Sequence, residues 1–520
     1  MPRRRHRVAS ALADERWALC ALFLVALGYA LWALPIGWNH SIVDHHGFRQ
    51  SQTAISTYYL LQGGPWLAYE TPILGPAWSL PFEFPLYQWI VALLTHTTGM
   101  DLEAAGRLTS SFFFFGSALP IWSILGYLRV ERAHRLAFLA LFFVSPIYLF
   151  WSRTFMIESI ALFLALCYLA FAARWLERRR PADATLSSFF GICAALVKIT
   201  TFVGFCYAAA ALVLVRWFRV HRGHINLQIL LEQLLPLLCF AILPVAAATM
   251  WVSYTDDIKS LNLIAGRHLI SEKLVGWNFG NIAQRIDPAS WTILRSRLHL
   301  WVGQGAFFTA ALGVALASPR AWLPVLGSLA LFLGPFLTFA NLHLVHDYYQ
   351  YANAIFLIAA VGFSLRSLLV GSLAQRWAGV IALGLVMVSC IESYRETYLE
   401  IQKRDAQHLE PLAQEIQRRT SVSDVIVVWG VDWSSEIPYL ARRRALMMWP
   451  HHFREEGAVA EALRRLEDYN IGAMIVCGEN RSDANSIDDR SNLFDMESAP
   501  VFSGTACQLH LPAGASPIDS

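Results

Sequence analysis

The chain has 520 residues, of which 56% are hydrophobic and only 15% are charged, whereas an average globular protein has about 25% charged residues. Its formal net charge of +3 gives no support to a nucleic-acid partner. So much apolar surface exceeds what one soluble core can bury, and the composition therefore predicts an integral membrane protein whose solvent is a lipid bilayer.

Apolar segments that are long enough to cross a bilayer recur along the chain, since a helical span needs about 20 apolar residues. The first segment follows the basic start MPRRRHR and is interpreted as a retained helix rather than a cleaved signal peptide. The stretch 84–99 is shorter and is predicted to form a juxtamembrane or re-entrant helix. The pattern predicts about eleven spans, at residues 17–37, 105–128, 136–152, 157–175, 185–199, 200–217, 230–253, 300–317, 321–339, 350–368 and 376–393.

The arginine residues predict the orientation of these spans. With the N-terminus in the cytoplasm, every even-numbered connection carries arginines, and positive residues remain on the cytoplasmic side. The remaining connections hold acids, histidines and aromatic residues, with few cations apart from the long loop 254–299, and we expect them outside. The arginines are Arg129, Arg132, Arg135, Arg174, Arg178, Arg179, Arg180, Arg216, Arg219, Arg222, Arg320, Arg366 and Arg376.

The sequence becomes hydrophilic near residue 398. Residues 398–418 and 454–469 predict helices, and the runs DVIVVWG (424–430) and IGAMIVCG (471–478) are typical of short buried strands. We therefore predict a transmembrane domain at 1–397, which contains a long outer loop at 38–104, and a small soluble α/β domain at 398–520 outside the cytoplasm. In that compartment Cys477 and Cys507 either form a disulfide or remain thiols.

The first outer loop carries an unusual group of ionisable residues directly after the first span. Asp44, His45, His46 and Arg49 lie within six residues of one another. A carboxylate near the bilayer surface can accept a proton, and an arginine can bind a phosphate. The alternative is an interfacial loop with a solvated acid and an arginine that reaches toward water.

Two further groups precede apolar helices. Glu83 lies between Phe and Pro residues, where it either contacts a substrate or caps the following helix. Arg153 and Glu158 lie at the predicted outer ends of two spans, and Lys198 lies in a similar position. Ionisable groups in such places are functional candidates, although Arg153 and Glu158 could simply form an ion pair.

A fourth group, His346, Asp347, Tyr348 and Tyr349, precedes the predicted span 350–368. It could hold a phosphate or a sugar, whereas an aromatic belt would explain the tyrosines alone. All four groups fall on the predicted outer face. We therefore expect one shared outer cavity.

In these motifs the chain resembles the membrane glycosyltransferases of the GT-C fold, in particular bacterial relatives of the protein O-mannosyltransferases and of the lipid A aminoarabinose transferase. The resemblance covers about residues 15–370. It is carried by the acid after the first span, Glu83-Phe84-Pro85, Gly106-Arg107, Glu158 and the HDYYQ run at 346–350, and it extends to Asp432–Tyr439.

The resemblance implies a transferase that moves a sugar from a polyprenyl-phosphate carrier to a lipid, glycan or protein acceptor outside the cytoplasm, at a bacterial inner membrane. It implies that Asp44 is the catalytic base or orients the acceptor, and that Glu158 is a second acid. Glu158 would help to hold a divalent metal ion, with Asp44 as the other possible ligand, or would hold the acceptor. The family usually has an acidic pair after the first span, whereas here His45 and His46 follow Asp44, which leaves metal dependence open. The cations proposed for the carrier phosphate are Arg49, Lys198, Arg267 and His346, and the substrate contacts are His45, His46, Glu83, Asp347, Tyr348 and Tyr349.

Other classes of function remain open. A glycan polymerase or ligase shares these features, and no motif separates it from a transferase. A transporter of a lipid-linked substrate would need ionisable residues or broken helices in the middle of spans, whereas here most ionisable residues lie at the outer ends. An assembly or sensor protein would leave the four outer groups unexplained. The loop 254–299 is either a mobile lid over the carrier phosphate or a solvated connector.

Overall fold

The computed structural model describes residues 2–221, 227–305, 314, 319–448, 457–478 and 495–513. The chain forms two compact units. The first comprises Met1–Trp38, Arg107–Met250 and Val275–Lys403, and the second comprises Asn39–Gly106, Trp251–Leu274 and Arg404–Ser520. The outer loop and the start of the 254–299 segment therefore fold with the C-terminal part, whereas the sequence-based division groups them with the transmembrane domain.

The described residues are mostly helical. Shorter 3-10 turns lie at Asp347–Tyr349 and Gln407–Leu409, and a π-turn lies at Arg395–Leu399. Numbered along the chain, the helices are α1 (Pro2–Ala33), α2 (Gly47–Leu61), α3 (Leu86–Thr98), α4 (Leu102–Gly116), α5 (Ala118–Tyr127), α6 (Arg132–Val144), α7 (Pro146–Trp151), α8 (Glu158–Arg178), α9 (Pro181–His221), α10 (Leu227–Ser260), α11 (Leu263–His268), α12 (Val275–Phe279), α13 (Ile282–Ile286), α14 (Pro288–Ser296), α15 (His299–Val302), α16 (Pro319–Thr338), α17 (Ala340–Val345), α18 (Gln350–Leu369), α19 (Leu373–Tyr394), α20 (Glu400–Lys403), α21 (Glu410–Arg419), α22 (Glu436–Ala441) and α23 (Ala458–Arg464).

Among the described residues, 7 helical segments are long and apolar enough to cross a membrane. The predicted count of about eleven spans is not confirmed. The predicted span 136–152 is broken at Pro146 into α6 and α7, and the predicted span 300–317 lies mostly outside the described residues. The segments are Glu15–Ala33, Leu102–Tyr127, Glu158–Arg178, Pro181–Val220, Ala321–Thr338, Asp347–Leu369 and Leu373–Arg419.

Helix α9 reverses its direction at Lys198, whose backbone is not helical (φ −160°, ψ 92°). Two residues on opposite sides of Lys198 contact Tyr168: the Ser187 hydroxyl donates to its carbonyl (3.1 Å), and the Phe202 ring lies 5.1 Å from its ring. On a straight helix Ser187 and Phe202 would be about 22 Å apart. The two halves of α9 therefore lie side by side, which agrees with the prediction of separate segments at 185–199 and 200–217.

Two buried arginines fix the end of the first span. The Arg153 guanidinium donates to the carbonyl of Gly37 (2.9 Å), and Arg107 donates to the carbonyl of Trp38. Both arginine side chains are almost completely buried. Partly buried carbonyl groups beyond a helix end need donors, and these two guanidinium groups supply them. The Gly106-Arg107 motif therefore has a structural role here.

The second unit contains a five-stranded sheet in the order β2-β1-β3-β5-β4. The strands are β1 (Val425–Trp429), β2 (Arg444–Met448), β3 (Ile471–Cys477), β4 (Phe502–Ser503) and β5 (Cys507–His510). The strands β2, β1 and β3 are parallel, and β5 runs antiparallel to β3. The two predicted strands are confirmed as β1 and β3, and a disulfide joins Cys477 to Cys507 on paired positions of β3 and β5.

The prediction of one polar helix at 398–418 is wrong. The chain there forms the short helix α20, a 3-10 turn and then α21. The predicted helix 454–469 begins outside the described residues and continues as α23. The short helix predicted at 84–99 is present as α3.

The first outer loop adds an extended segment to the free edge of this sheet. Residues Thr71–Gly75 run along β2: the Ala445 amide donates to the carbonyl of Pro72 (2.9 Å), and the Met447 amide donates to the carbonyl of Ile73 (2.9 Å). The Arg444 guanidinium donates to the Glu70 carboxylate at 2.9 Å. These backbone bonds tie the outer loop to the C-terminal sheet.

The loop after β1 also contacts the outer loop. The Trp433 ring lies 5.1 Å from the Phe48 ring and 6.0 Å from the Phe82 ring. A methyl group added at Gly47 would overlap the Glu436 carboxylate. Burial raises the pKa of Glu436, which lies at the start of α22. Gly47 therefore allows the C-terminal segment to approach the first turn of α2.

This contact predicts the effect of Gly47→Ala. The added methyl group must displace the Glu436 carboxylate, which is the flexible end of its side chain, and we expect a loss of stability of about 1 kcal/mol, measured as a lower thermal unfolding midpoint in detergent. The double variant Gly47→Ala/Glu436→Ala should recover most of that loss because the overlapping group is gone.

Gly28→Ala is the matched control, since no atom lies within 4 Å of a methyl group at Gly28. An equal loss at Gly28, or a loss that persists in the double variant, would contradict the contact.

Candidate active site

The first unit holds a buried ion pair. The Lys198 ammonium group donates to Oε1 of Glu158, and the two side chains are only 7% and 2% exposed. Glu158 begins α8, and Lys198 lies at the reversal of α9. The suggested pair between Arg153 and Glu158 is therefore wrong, because Lys198 is the partner of Glu158.

Two tyrosine rings cover this cation, and a histidine ring stacks on them. The Lys198 Nζ atom lies 4.2 Å from the ring centre of Tyr349 and 5.3 Å from that of Tyr348. The two tyrosine rings stack at 4.9 Å, and the His346 ring stacks on Tyr348 at 5.2 Å. Aromatic faces attract a cation, more strongly where water is excluded. The structure thus brings the third and fourth predicted groups together, and an aromatic belt does not account for the tyrosines.

The turn that carries these aromatic residues is fixed by hydrogen bonds. The Arg297 guanidinium donates to the carbonyls of His343 (2.7 Å) and Leu344 (2.8 Å), and the Gln350 amide also donates to the His343 carbonyl (2.7 Å). Burial lowers the pKa of His343 to about 3, and the charges of Lys198 and Arg297 add to this effect. The imidazole is therefore neutral at physiological pH.

Asp347 begins the 3-10 turn Asp347–Tyr349 that follows α17. Burial lowers the pKa of Arg297, and the Asp347 carboxylate opposes that change. Asp347 therefore adds a negative charge to the turn, near the guanidinium that holds it.

In the second unit, Asp44 lies just before α2. The Gln50 side chain, which is buried, donates from Nε2 to Oδ1 of Asp44 (2.7 Å) and to the carbonyl of His45 (3.1 Å). The His45 and His46 rings lie 4.7 Å apart, and His46 takes a left-handed conformation (φ 53°) as α2 begins. Gln50 therefore orients the carboxylate and the loop at the same time. The sequence pattern gave no sign of this role.

The first and second predicted groups meet within this unit. Arg49 donates to the carboxylate of Glu83 and to Oε1 of Gln52. The Tyr69 hydroxyl donates to the carbonyl of Glu83 (2.9 Å) and accepts from the amide of Phe82 (2.8 Å). The suggested role of Glu83 as a helix cap is wrong: α3 has Pro85 at its N-cap and no side-chain cap. Glu83 instead compensates the charge of Arg49.

The part of the 254–299 segment that belongs to the second unit is well organised. The Lys259 ammonium bonds Oδ1 of Asp256 (2.9 Å) and the carbonyl of Leu269 (2.9 Å). The Asn262 amide donates to the carbonyls of Leu74, Gly75 and Ala77 at 2.9–3.2 Å. These bonds favour an ordered element over a solvated connector. Arg267 lies exposed on α11.

The proposed phosphate-binding cations belong to different units: Lys198 and His346 to the first, Arg49 and Arg267 to the second. Asp44 and Glu158 are divided in the same way. A single cavity shared by the four groups remains a prediction, as do all the residue roles.

Carboxylates and imidazoles are ligand types that divalent metals use. Glu158 fits that role poorly because an ammonium group already bonds it.

Comparison with known proteins places the fold. No protein-family model matches the chain, and no curated protein matches it. ArnT from Cupriavidus metallidurans, solved bound to undecaprenyl phosphate, is 12% identical with a TM-score of 0.60, and the match covers 95% of this chain and 99% of ArnT.

The apo form of ArnT gives 11% identity and a TM-score of 0.53, over 94% of this chain and 97% of ArnT. AglB from Archaeoglobus fulgidus, solved with an inhibitory peptide and a dolichol-phosphate, gives 12% identity and a TM-score of 0.53, over 91% of this chain and 71% of AglB. The predicted resemblance is confirmed at the level of the fold: the chain is a multi-pass helical protein with the GT-C fold of these membrane glycosyltransferases.

Proposed function

We propose that this protein is a membrane glycosyltransferase that moves a sugar from a polyprenyl-phosphate carrier to an acceptor outside the cytoplasm, with inversion at the anomeric carbon. The observation that carries the proposal is the buried Lys198–Glu158 pair beneath Tyr348 and Tyr349, in a chain with the GT-C fold. The complex of ArnT with undecaprenyl phosphate supports a lipid-linked donor.

The carrier phosphate is the leaving group, so negative charge must be stabilised as the bond to the sugar breaks. We assign this task first to Lys198, then to His346, whose ring stacks on Tyr348, and then to Arg49 and Arg267. Glu158 holds the Lys198 ammonium group in place through the buried ion pair. This positioning role replaces the metal role implied by the resemblance, because a divalent ion would be repelled by Lys198.

Asp44 is the proposed general base. It accepts the proton of the acceptor hydroxyl while that oxygen attacks the anomeric carbon. The bond from this carbon to the phosphate oxygen breaks, and its electron pair leaves with the polyprenyl phosphate. Gln50 donates to one carboxylate oxygen of Asp44 and so orients the group that accepts the proton. The proposed substrate contacts are His45, His46, Glu83, Asp347, Tyr348 and Tyr349.

We place the protein in a bacterial inner membrane with a cytoplasmic N-terminus and the C-terminal sheet outside. The Cys477–Cys507 disulfide supports this orientation because disulfides persist in oxidising compartments. In this orientation Glu158 lies at the outer end of α8 and Arg178 at its cytoplasmic end. The helix has 21 residues, so these two residues are about 30 Å apart. The reversal at Lys198 supports two spans within α9, which raises the 7 candidate segments by one; about eleven spans remains part of the proposal.

The direct test is transfer of labelled sugar from a polyprenyl-phosphate donor to an envelope extract by the purified protein in lipid. We expect the wild type to transfer label and Asp44→Asn to lower kcat by roughly 10²–10⁴-fold, with donor binding unchanged. Asp257→Asn is the matched control, since Asp257 is an exposed acid of another outer segment and should keep full activity.

Equal activity in Asp44→Asn and wild type would remove Asp44 from the mechanism while leaving the transferase intact. Failure of the wild type to transfer any of a broad set of donors would contradict the proposed function.

The ion pair predicts a separation of stability from activity. Lys198→Met leaves Glu158 buried without a partner and should cost about 3–5 kcal/mol of stability, whereas replacing both charges is often neutral. The double variant Lys198→Met/Glu158→Gln should therefore regain the wild-type unfolding midpoint and still lack transfer.

Lys403→Gln is the control, because Lys403 forms an exposed pair with Glu400 and its loss should change neither property. Recovery of transfer in the double variant would show that the pair is only structural.

A further inference from the structure

A large cavity lies inside the first unit, within the apolar part of the helices. Its volume is about 690 Å³, and α5, α8, α9, α16 and α18 contribute to its wall. Nearly all of the lining side chains are aliphatic or aromatic, among them Leu125, Leu169, Leu212 and Phe363. A cavity of this size is large enough for a substantial apolar ligand.

Two arginines, Arg219 and Arg366, also line the cavity. Both lie near the C-terminal ends of their helices, since α9 ends at His221 and α18 ends at Leu369. Arg219 lies on the half of α9 that follows the reversal, 21 residues after Lys198. That distance along the helix is about 30 Å. The charged end of the cavity is therefore remote from the Lys198–Glu158 pair.

The two guanidinium groups retain hydrogen-bonding capacity toward an anion. Arg219 donates to the carbonyl of Tyr127 at 3.3 Å, and the Nε of Arg366 is buried with no partner. The described residues that line the cavity include no carboxylate. Glu15 lies in the same unit, but it already pairs with Arg376 at 3.5 Å and with His134 at 3.8 Å.

We propose that this cavity binds an anionic glycerophospholipid from the cytoplasmic leaflet, with an acyl chain among the apolar side chains and its phosphate at Arg219 and Arg366. Basic pockets between spanning helices on the cytoplasmic side are suited to anionic lipid head groups, and guanidinium groups bind phosphate in a bidentate manner. The proposal rests on the membrane orientation given above and does not depend on transferase activity.

A polyprenyl tail of the donor would match the apolar wall but not the two arginines. Its phosphate belongs at Lys198 in the proposed reaction, so the tail would leave both arginines facing apolar groups. A glycerophospholipid satisfies the wall and the two charges together.

The test uses the full chain in detergent and native mass spectrometry to count bound lipids. Phosphatidylglycerol, phosphatidylcholine with the same acyl chains, and a polyprenyl phosphate are added in turn. We expect roughly a 10–30-fold preference for phosphatidylglycerol over phosphatidylcholine, from two arginines. The variant Arg219→Gln/Arg366→Gln should lose this preference, and Gly327→Leu should weaken both phospholipids because it fills the cavity.

Each variant has a control. Arg178→Gln removes an exposed arginine that does not line the cavity, and Gly384→Leu adds the same bulk where a glycine also has open space. Both should bind lipid like the wild type. Equal affinity for the two phospholipids, or a preference that survives in the double arginine variant, would overturn the proposal. The proposal would also be overturned if polyprenyl phosphate displaced phosphatidylglycerol and its own binding were lost in Gly327→Leu. The cavity would then hold the carrier tail.

Discussion

The first unit depends on one electrostatic constraint: an ammonium group that is almost completely removed from water must find compensation nearby. Glu158 supplies the opposite charge to Lys198, and the faces of Tyr348 and Tyr349 supply a weaker attraction. The backbone break that reverses α9 occurs at Lys198 itself. Arg297 donates hydrogen bonds to the backbone just before the turn that carries the tyrosines. A buried ion pair is weak evidence for stability. Its position at a candidate site therefore favours a functional reason for the cation.

The second unit depends on backbone pairing. The first outer loop forms hydrogen bonds with the edge of the C-terminal sheet through Pro72 and Ile73, and Trp433 packs against Phe48 and Phe82. The segment that carries Asp44 is therefore shaped by the C-terminal part of the chain. We infer that a change in the sheet would alter the geometry of the proposed base without touching it, since effects pass through packed side chains and hydrogen bonds.

Much of this could be predicted from the sequence, because ionisable residues in apolar surroundings are conspicuous. Glu158, Lys198 and the HDYYQ run were recognised in this way, and so were the strands β1 and β3, which are continuous apolar runs. The pairing of Lys198 with Glu158 instead of Arg153 was missed, since spacing does not determine which of two nearby cations turns toward an acid. The edge pairing with β2 was missed because its partners are about 370 residues apart and an extended edge segment has no pattern of its own.

The central claim is that Lys198 is the cation that receives the phosphate of a lipid carrier. The most direct measurement is the dissociation constant of a short-chain polyprenyl phosphate and of the matching polyprenol, for the wild type and for Lys198→Met/Glu158→Gln. The account predicts that the wild type prefers the phosphate by roughly 10–100-fold, the range expected for a hydrogen bond to a charged group, and that the double variant loses most of this preference while it still binds the alcohol. A preference for the phosphate that is unchanged in the double variant would contradict the account.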